Sequence, residues 1–273
     1  MLNMLDVTNE ADATLSLPLE DIGNGYRIKS IDGLDPVKAT IVTSSFANMD
    51  GDKYQASRRE KRNIVIKLGF DTSMDVRSLR NNLYPFFMTK TNLRLRFYSD
   101  EADMFYVEIY GRVESFESPI FAKDPEATIS IVCAKPDFYE PEPVAWHGDT
   151  TSGSTRMPIT YSGTIETGIR FSMNVNRTLP SLVIHHSTTA SGTENDLTFA
   201  APLISGDVLE IRTVPGDKGA TLTRSGITSS ILYGINPASI WTTLLSGQNY
   251  IRVSSGGAPI SYTVEYTNKY GGL

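Results

Sequence analysis

Alternation limits this chain more than any other feature. In both halves, apolar residues recur at every second position, the spacing of a strand with one buried face. Ile64, Ile66, Leu68 and Phe70 point one way, while Val65, Lys67 and Gly69 point the other. Leu93, Leu95 and Phe97 alternate with Arg94, Arg96 and Tyr98, and Phe105, Val107 and Ile109 with Tyr106, Glu108 and Tyr110. Ile129, Ile131 and Cys133 share a face. Residues 165–175, Leu209 with Ile211, and Ile260 through Tyr266 repeat the pattern. Strands with one wet face belong to antiparallel sheets, so the chain is expected to be mainly β.

One helix interrupts the first half. Val76, Leu79, Leu83 and Phe86 form a stripe at spacings of three and four. Asp71 or Ser73 is placed to cap it, and Pro85 is expected to end or kink it, giving a helix over about 74–84 with a 3₁₀ or loose continuation. The second half reads as wholly β, with turn signals at Ser205-Gly206-Asp207, Pro215-Gly216-Asp217, Ser246-Gly247 and Ser255-Gly256-Gly257. Short strands so spaced predict a β-sandwich or jelly roll.

Composition separates the halves. Residues 1–145 carry 17 basic and 23 acidic side chains, the whole of the net charge of −6, whereas the remainder carries 8 of each. Only 6 of the 21 glycines fall in the first part. Two domains are therefore expected, 1–143 and 144–273, joined by the extended Glu140-Pro141-Glu142-Pro143. The acidic balance argues against coating nucleic acid through a broad basic face. The early acids Asp6, Glu10 and Asp12 leave no room for a secretory leader. No window approaches an uninterrupted membrane span.

Chemistry is hard to place. No G-x-S-x-G elbow is present, and Cys133 reads as a buried thiol rather than a nucleophile. The single cysteine rules out an internal disulfide and a cysteine-ligated zinc site. The adjacent His185 and His186 point to opposite faces of a strand, so they cannot share one metal. Gly216 to Thr221 lacks phosphate-loop spacing and reads as a hairpin turn. Asp50-Gly51-Asp52 is too short for a calcium loop, and Asn176-Arg177-Thr178 matches a glycosylation acceptor by chance. No catalytic residue, metal set or cofactor is nominated.

The remaining signal is a projection. A polar stretch from Asn48 to Ser57 runs into Arg58, Arg59, Lys61 and Arg62, between strands at about 38–43 and 63–70. That connection is longer than an ordinary hairpin loop. It carries no interleaved aromatics of the kind that bind single strands. A contact with a neighbouring subunit is the preferred reading. Met49, Asp50, Lys53, Tyr54, Arg58, Arg59 and Arg62 are its candidate residues.

The order of segments resembles the distal tail protein family of long-tailed, non-contractile bacteriophages. The matching stretches are Tyr26 to Leu34, Met49 to Tyr54, Arg62 to Ile66, the helix running into Leu83-Tyr84-Pro85-Phe86, Ser205 to Ile211, Leu244 to Ile251, and Ser261 to Tyr266. The resemblance implies a β-barrel-like N-terminal domain with one helix and a galectin-like C-terminal β-sandwich. It further implies a non-enzymatic virion protein, assembled in the host cytoplasm. Six copies would form a ring hub between the tail tube protein and the tail-tip hub protein, with an arm at about 46–62 belting the next subunit. A receptor-binding protein would attach for host attachment, and genome DNA would pass through the bore without specific binding. The His-Asn-Arg strand and Trp-Glu-Arg cluster of sugar-binding galectins are not reproduced around His185, Arg212 and Trp241. The alternative reading is a carbohydrate-binding β-sandwich module, alone or within a glycan-active protein.

Overall fold

The computed structural model describes residues 2–20, 22, 24–47, 50–99, 106–119 and 123–273. Met49 and Phe105 lie outside the described residues. The chain divides into two compact units, Met1–Glu140 with Tyr270–Leu273, and Pro141–Lys269. The last four residues thus belong to the first unit, although the sequence alone put them at the end of the second.

The first unit contains β1 (Leu2–Thr8), β2 (Thr14–Pro18), β3 (Tyr26–Asp32), β4 (Ala39–Ser45), β5 (Asp52–Arg59), β6 (Arg62–Phe70), α1 (Val76–Phe87), β7 (Asn92–Ser99), β8 (Tyr106–Glu117), β9 (Glu126–Cys133) and β10 (Phe138–Tyr139). Its main sheet runs β2-β1-β7-β8-β9-β6-β3, with every pairing along that path antiparallel. The predicted alternation is the observed burial. Ile64, Ile66, Leu68, Leu95, Phe97, Val107, Ile109, Ile129 and Ile131 are fully enclosed, with Leu79, Leu83 and Phe87 of the helix closing over the same core.

Three expectations need correction. The sheet is not closed into a barrel. Its end strands β2 and β3 touch but do not pair. Pro18 offers no N–H, and Asn24 Nδ2 already occupies the Ser16 carbonyl on that edge. The helix cap is Asp75, whose carboxylate accepts from the Arg77 and Ser78 amides and from Ser78 Oγ at 2.6 Å. Asp71 instead receives the Ser73 amide in the preceding turn. Pro85 does not end the helix, which continues to Phe87. So close to the C-terminus proline forfeits one backbone bond, and burial of the Phe87 ring holds the final turn.

The second unit contains β11 (Val144–Asp149), β12 (Met157–Tyr161), β13 (Thr167–Gly168), β14 (Arg170–Asn174), β15 (Leu182–Ser187), β16 (Asn195–Phe199), β17 (Val208–Arg212), β18 (Gly219–Arg224), β19 (Ile227–Ser230), β20 (Thr243–Leu244), β21 (Gly247–Ser254) and β22 (Ser261–Tyr266). A short β23 (Lys269–Tyr270) pairs with β10. One sheet runs β11-β22-β14-β17-β18-β19 and the other β12-β21-β15-β16, beside the small pair β13-β20. Phe171, Ile211 and Val264 from the first sheet meet Ile184, Leu197 and Val253 from the second in one core, a β-sandwich. Tyr262 and Tyr266 lie on that buried side. No helix among the described residues is long and apolar enough to cross a membrane.

Candidate subunit-contact arm

β4 and β5 pair only with each other, outside the main sheet. Pairing runs from Ala39 opposite Arg59 to Ser45 opposite Asp52, with a bulge that leaves Gln55 unmatched. The arm is therefore a hairpin whose paired strands run from Ala39 to Arg59, beginning earlier in the chain than the 46–62 expected from sequence. A two-stranded ribbon is at best marginal in water by itself. Two devices hold it. Along the ribbon, side chains bond across the strands: Thr43 Oγ1 donates to Asp52 at 2.9 Å, and Gln55 Nε2 to Ser44 Oγ at 2.7 Å. At the base, the Glu60 amide donates to the Lys38 carbonyl, Thr40 Oγ1 to Glu60 at 2.7 Å, and Arg59 forms a two-pronged ion pair with Asp137.

Both ribbon faces expose apolar side chains. Opposed residues of an antiparallel pair share a face. Ile41 and Tyr54 therefore lie on one side, and Val42 and Ala56 on the other, beside Arg58 and Lys53. Ile41 is 63% exposed and Tyr54 60%; Val42 and Phe46 are about half exposed. Sequence reasoning nominated Tyr54 but passed over Ile41, Val42 and Phe46. The missed signal was β-branched residues in a strand whose partner, Asp52–Arg59, has no apolar face to cover them.

Of the nominated residues, Asp50, Lys53, Tyr54, Arg58 and Arg59 are exposed on or beside the ribbon. Tyr54 Oη lies 2.8 Å from Ser57 Oγ. Arg62 is different and must be removed from the contact set. It is almost fully buried at the start of β6. Its Nε donates to the Pro136 carbonyl at 2.7 Å, Nη1 to Gly33 and Asp35 at 2.5 and 2.7 Å, and Nη2 to Gly271 at 2.6 Å. The guanidinium lies 4.4 Å from the Phe138 ring centroid, a cation–π distance. Burial pulls its pKa down, yet four carbonyl acceptors suit only the donor-rich charged form. Gly33 sits in the left-handed region at φ +89°, and a Cβ there would come within 2.0 Å of the Asn63 carbonyl oxygen. The base of the arm is thus a densely bonded knot of Gly33, Arg62, Pro136 and the C-terminal tail.

The other sequence candidates fall elsewhere. Cys133 is buried, and desolvation pushes its thiol up to about 11, which keeps it protonated and unreactive at neutral pH. His186 faces inward onto Asn249 Oδ1 at 3.0 Å, while His185 faces outward. His185 Nδ1 lies 2.6 Å from Asp196 and 3.3 Å from Glu194, the nearest approach to a metal set among the described residues. Glu194, however, is held by Arg156 at 2.8 Å and Arg252 at 2.7 Å. Two guanidinium groups balance two carboxylates, so a dication would enter a site with no charge deficit. His147 lies 3.0 Å from Thr263 Oγ1 beside a polar hollow of about 320 Å³ that also takes in Asp149, Ser172 and Asn174.

Residues 20–133, which include the arm and most of the main sheet, match the family model of the phage tail protein RIFT-related domain. This segment, under half of the chain, is similar to that phage tail domain. Over its whole length the chain also has the fold of SPP1 Dit (gp 19.1), a protein described as a paradigm of the hub adsorption apparatus in phages infecting Gram-positive hosts. The TM-score is 0.65 at 14% identity, covering 97% of this chain and 98% of that one. A chain of the phage P2 baseplate in its activated conformation aligns over the full length of both chains, with a TM-score of 0.47 and 10% identity. No curated protein sequence gives a significant match. The family-model match lies within the arm-bearing unit, and the fold likeness to SPP1 Dit extends through the sandwich.

Proposed function

We propose that this protein is a hub at the distal end of a phage tail, built as a ring of six copies. The carrying observation is the arm, a ribbon anchored at its base that exposes apolar side chains on both faces and is covered by nothing among the described residues. Heterologous contacts, in which an arm on one copy meets a different surface on the next, close into rings when the rotation fits. The full-length likeness to SPP1 Dit supports the hub reading. On this reading the tail tube protein docks on one side of the ring and the tail-tip hub protein on the other. A receptor-binding protein attaches peripherally, and the genome crosses the bore without specific contacts. Assembly takes place in the host cytoplasm and the protein ends in the virion.

The carbohydrate-binding alternative draws no support from the tryptophans of the second unit. Sugar sites on sheet faces use exposed aromatic platforms, whereas Trp146 and Trp241 both pack against the sandwich core.

Light scattering with negative-stain imaging tests the ring. The expected species has about six times the 30.1 kDa chain mass and a central hole. Ile41→Asp combined with Tyr54→Asp should leave both units folded and shift the protein to monomer. A strictly monomeric wild-type protein at high concentration, or rings unaffected by the double substitution, would overturn the proposal.

A further inference from the structure

Three neighbouring strands of the second unit, β21, β15 and β16, bring a serine, a histidine and an aspartate into one line. His185 of β15 stands opposite Arg252 of β21 on one side and opposite Asp196 of β16 on the other. Residues opposed across antiparallel strands share a face, so these three lie on the outer face while Ile184, Leu197 and Val253 fill the core. Ser254 follows Arg252 by two residues and returns to the same outer face. Its Oγ lies 2.8 Å from His185 Nε2, and His185 Nδ1 lies 2.6 Å from Asp196 Oδ1.

The partners fix which ring nitrogen carries the hydrogen. An ionised carboxylate only accepts. Nδ1 faces Asp196 and, at 3.3 Å, Glu194, so Nδ1 is the donor. In the neutral imidazole Nε2 is then the acceptor, and the Ser254 hydroxyl donates to it. The line runs from hydroxyl to imidazole to carboxylate. In that order a histidine can take a serine proton while an acid holds the ring and steadies the charge it gains. Glu194 is already bonded by Arg156 and Arg252, which leaves Asp196 to orient the imidazole. His147 and His186 meet neutral groups instead, Thr263 Oγ1 and Asn249 Oδ1.

The serine stands where a substrate can reach it. β12 pairs with β21 only as far as Ile251, and Ser254 ends β21 with a single bridge to Thr151 on that side. Ser254 is half-buried, and the turn that follows it is open: no atom lies within 4 Å of where a Cβ on Gly256 would sit. Donors for a developing oxyanion stand nearby in the chain. The Gly256 and Gly257 amides bond nothing among the described residues, and Arg252 Nη1 makes only a 3.3 Å bond to the Gly153 carbonyl. Arg156 and Arg252 offset Glu194 and Asp196, which suits an uncharged substrate.

We infer that Ser254 is an activated nucleophile that takes acyl groups from uncharged carboxylic esters, with His185 as its general base and Asp196 as a positioning residue. Ser254 Oγ attacks the ester carbonyl carbon while its proton passes to His185 Nε2. The bond from that carbon to the alcohol oxygen then breaks, and the alcohol leaves with the proton from His185. Water, giving its proton to His185, attacks the acyl-serine, releases the carboxylic acid and restores the hydroxyl. Donors beside the serine stabilise the negative oxygen at each addition step. This chemistry is independent of the hub reading and needs no second copy of the chain.

A fluorophosphonate probe on the purified full-length protein tests this, because attack by the serine oxygen expels fluoride and leaves a stable phosphonate ester. Peptide mass spectrometry should place the label on Ser254. Release of p-nitrophenol from p-nitrophenyl acetate is the second readout. Ser254→Ala should abolish both, and His185→Gln should slow both at least about a hundredfold. Asp196→Asn should slow them at least about tenfold, and Asp196→Glu should restore part of the rate, a distinction that a purely structural aspartate would not make. His147→Gln should change neither. Thermal unfolding of each variant should stay close to wild type; if the His185 variant misfolds, the exposed Asp196 pair carries the test. An unlabelled Ser254 in the wild type, a rate unchanged in His185→Gln, or equal rates for Asp196→Asn and the wild type would overturn the inference.

Discussion

Within five residues the chain uses arginine in two opposite ways. At the base of the arm, Arg62 gives its guanidinium to four backbone carbonyls and covers the Phe138 ring. On the ribbon, Arg58 is exposed, with no bonding partner among the described residues. One charge is buried in a network that engages four of its five N–H donors; the other is left in water. The difference teaches where stability and assembly reside. The base can hold its shape without a neighbour, whereas the ribbon has surface to spare for one.

The largest effect should come from breaking the base. Arg62→Met keeps the volume and removes every donor, leaving the carbonyls of Gly33, Asp35, Pro136 and Gly271 without their partner. Hydrogen bonds to a charged group are individually strong and buried orphans are costly. The expected loss is about 3 kcal/mol or more in urea unfolding of the first unit. Arg58→Glu should change the same measurement by less than about 0.5 kcal/mol. Cys133 supplies a second readout, because it lies directly opposite Arg62 in the β6–β9 ladder. Native protein should resist thiol alkylation at neutral pH, and Arg62→Met should accelerate it. Equal stability for the two variants would erase the distinction between base and ribbon.

The same contrast between held and free charge recurs in the second unit, where acid reveals it. Bonds from Arg252 hold Glu194 below its usual carboxylate range, and those from Arg224 do the same for Asp207. A carboxylate with a lowered folded pKa stabilises above its unfolded value and loses that contribution as pH falls through the folded one. Thermal stability of the second unit should therefore drop as pH falls below about 4.5, the ordinary glutamate value. Arg252→Met and Arg224→Met should each flatten that dependence. A pH profile untouched by either substitution would show that these ion pairs contribute no net stability.

How much of this was legible in sequence follows from what a pattern records. Alternation is imposed by a buried face, so β6, β7, β8, β9, β14 and β22 could be read directly. β5 could not. Asp52–Arg59 buries nothing, and a strand exposed on both faces leaves no period. Arg62 was grouped with the arm because four cations lie close together, yet its parity gave a usable signal. It stands two residues before Ile64, on the face that Ile64, Ile66 and Leu68 bury. What no pattern could supply was the origin of its partners, since Gly33, Pro136 and Gly271 come from three distant stretches of chain. The helix end shows the converse limit. Proline is a local signal, and the packing of Phe87 outweighed it.

The smallest effect separates the two chemistries of the ribbon. Tyr54 has a polar tip, bonded to Ser57 Oγ at 2.8 Å, and an exposed ring on the same face as Ile41. An exposed hydroxyl pair contributes little, because water replaces it. Tyr54→Phe should therefore change the stability of the isolated chain by less than about 0.5 kcal/mol. If the ring is what a neighbouring copy covers, the oligomer distribution should also remain that of the wild type, since the apolar area is kept. Tyr54→Ser removes the ring, keeps a hydroxyl, and should weaken assembly while barely moving the unfolding curve. Light scattering across a dilution series compares the three proteins directly. Should Tyr54→Phe dissociate as readily as Tyr54→Ser, the contact would depend on the hydroxyl, and the ribbon's apolar faces would no longer explain why the arm projects.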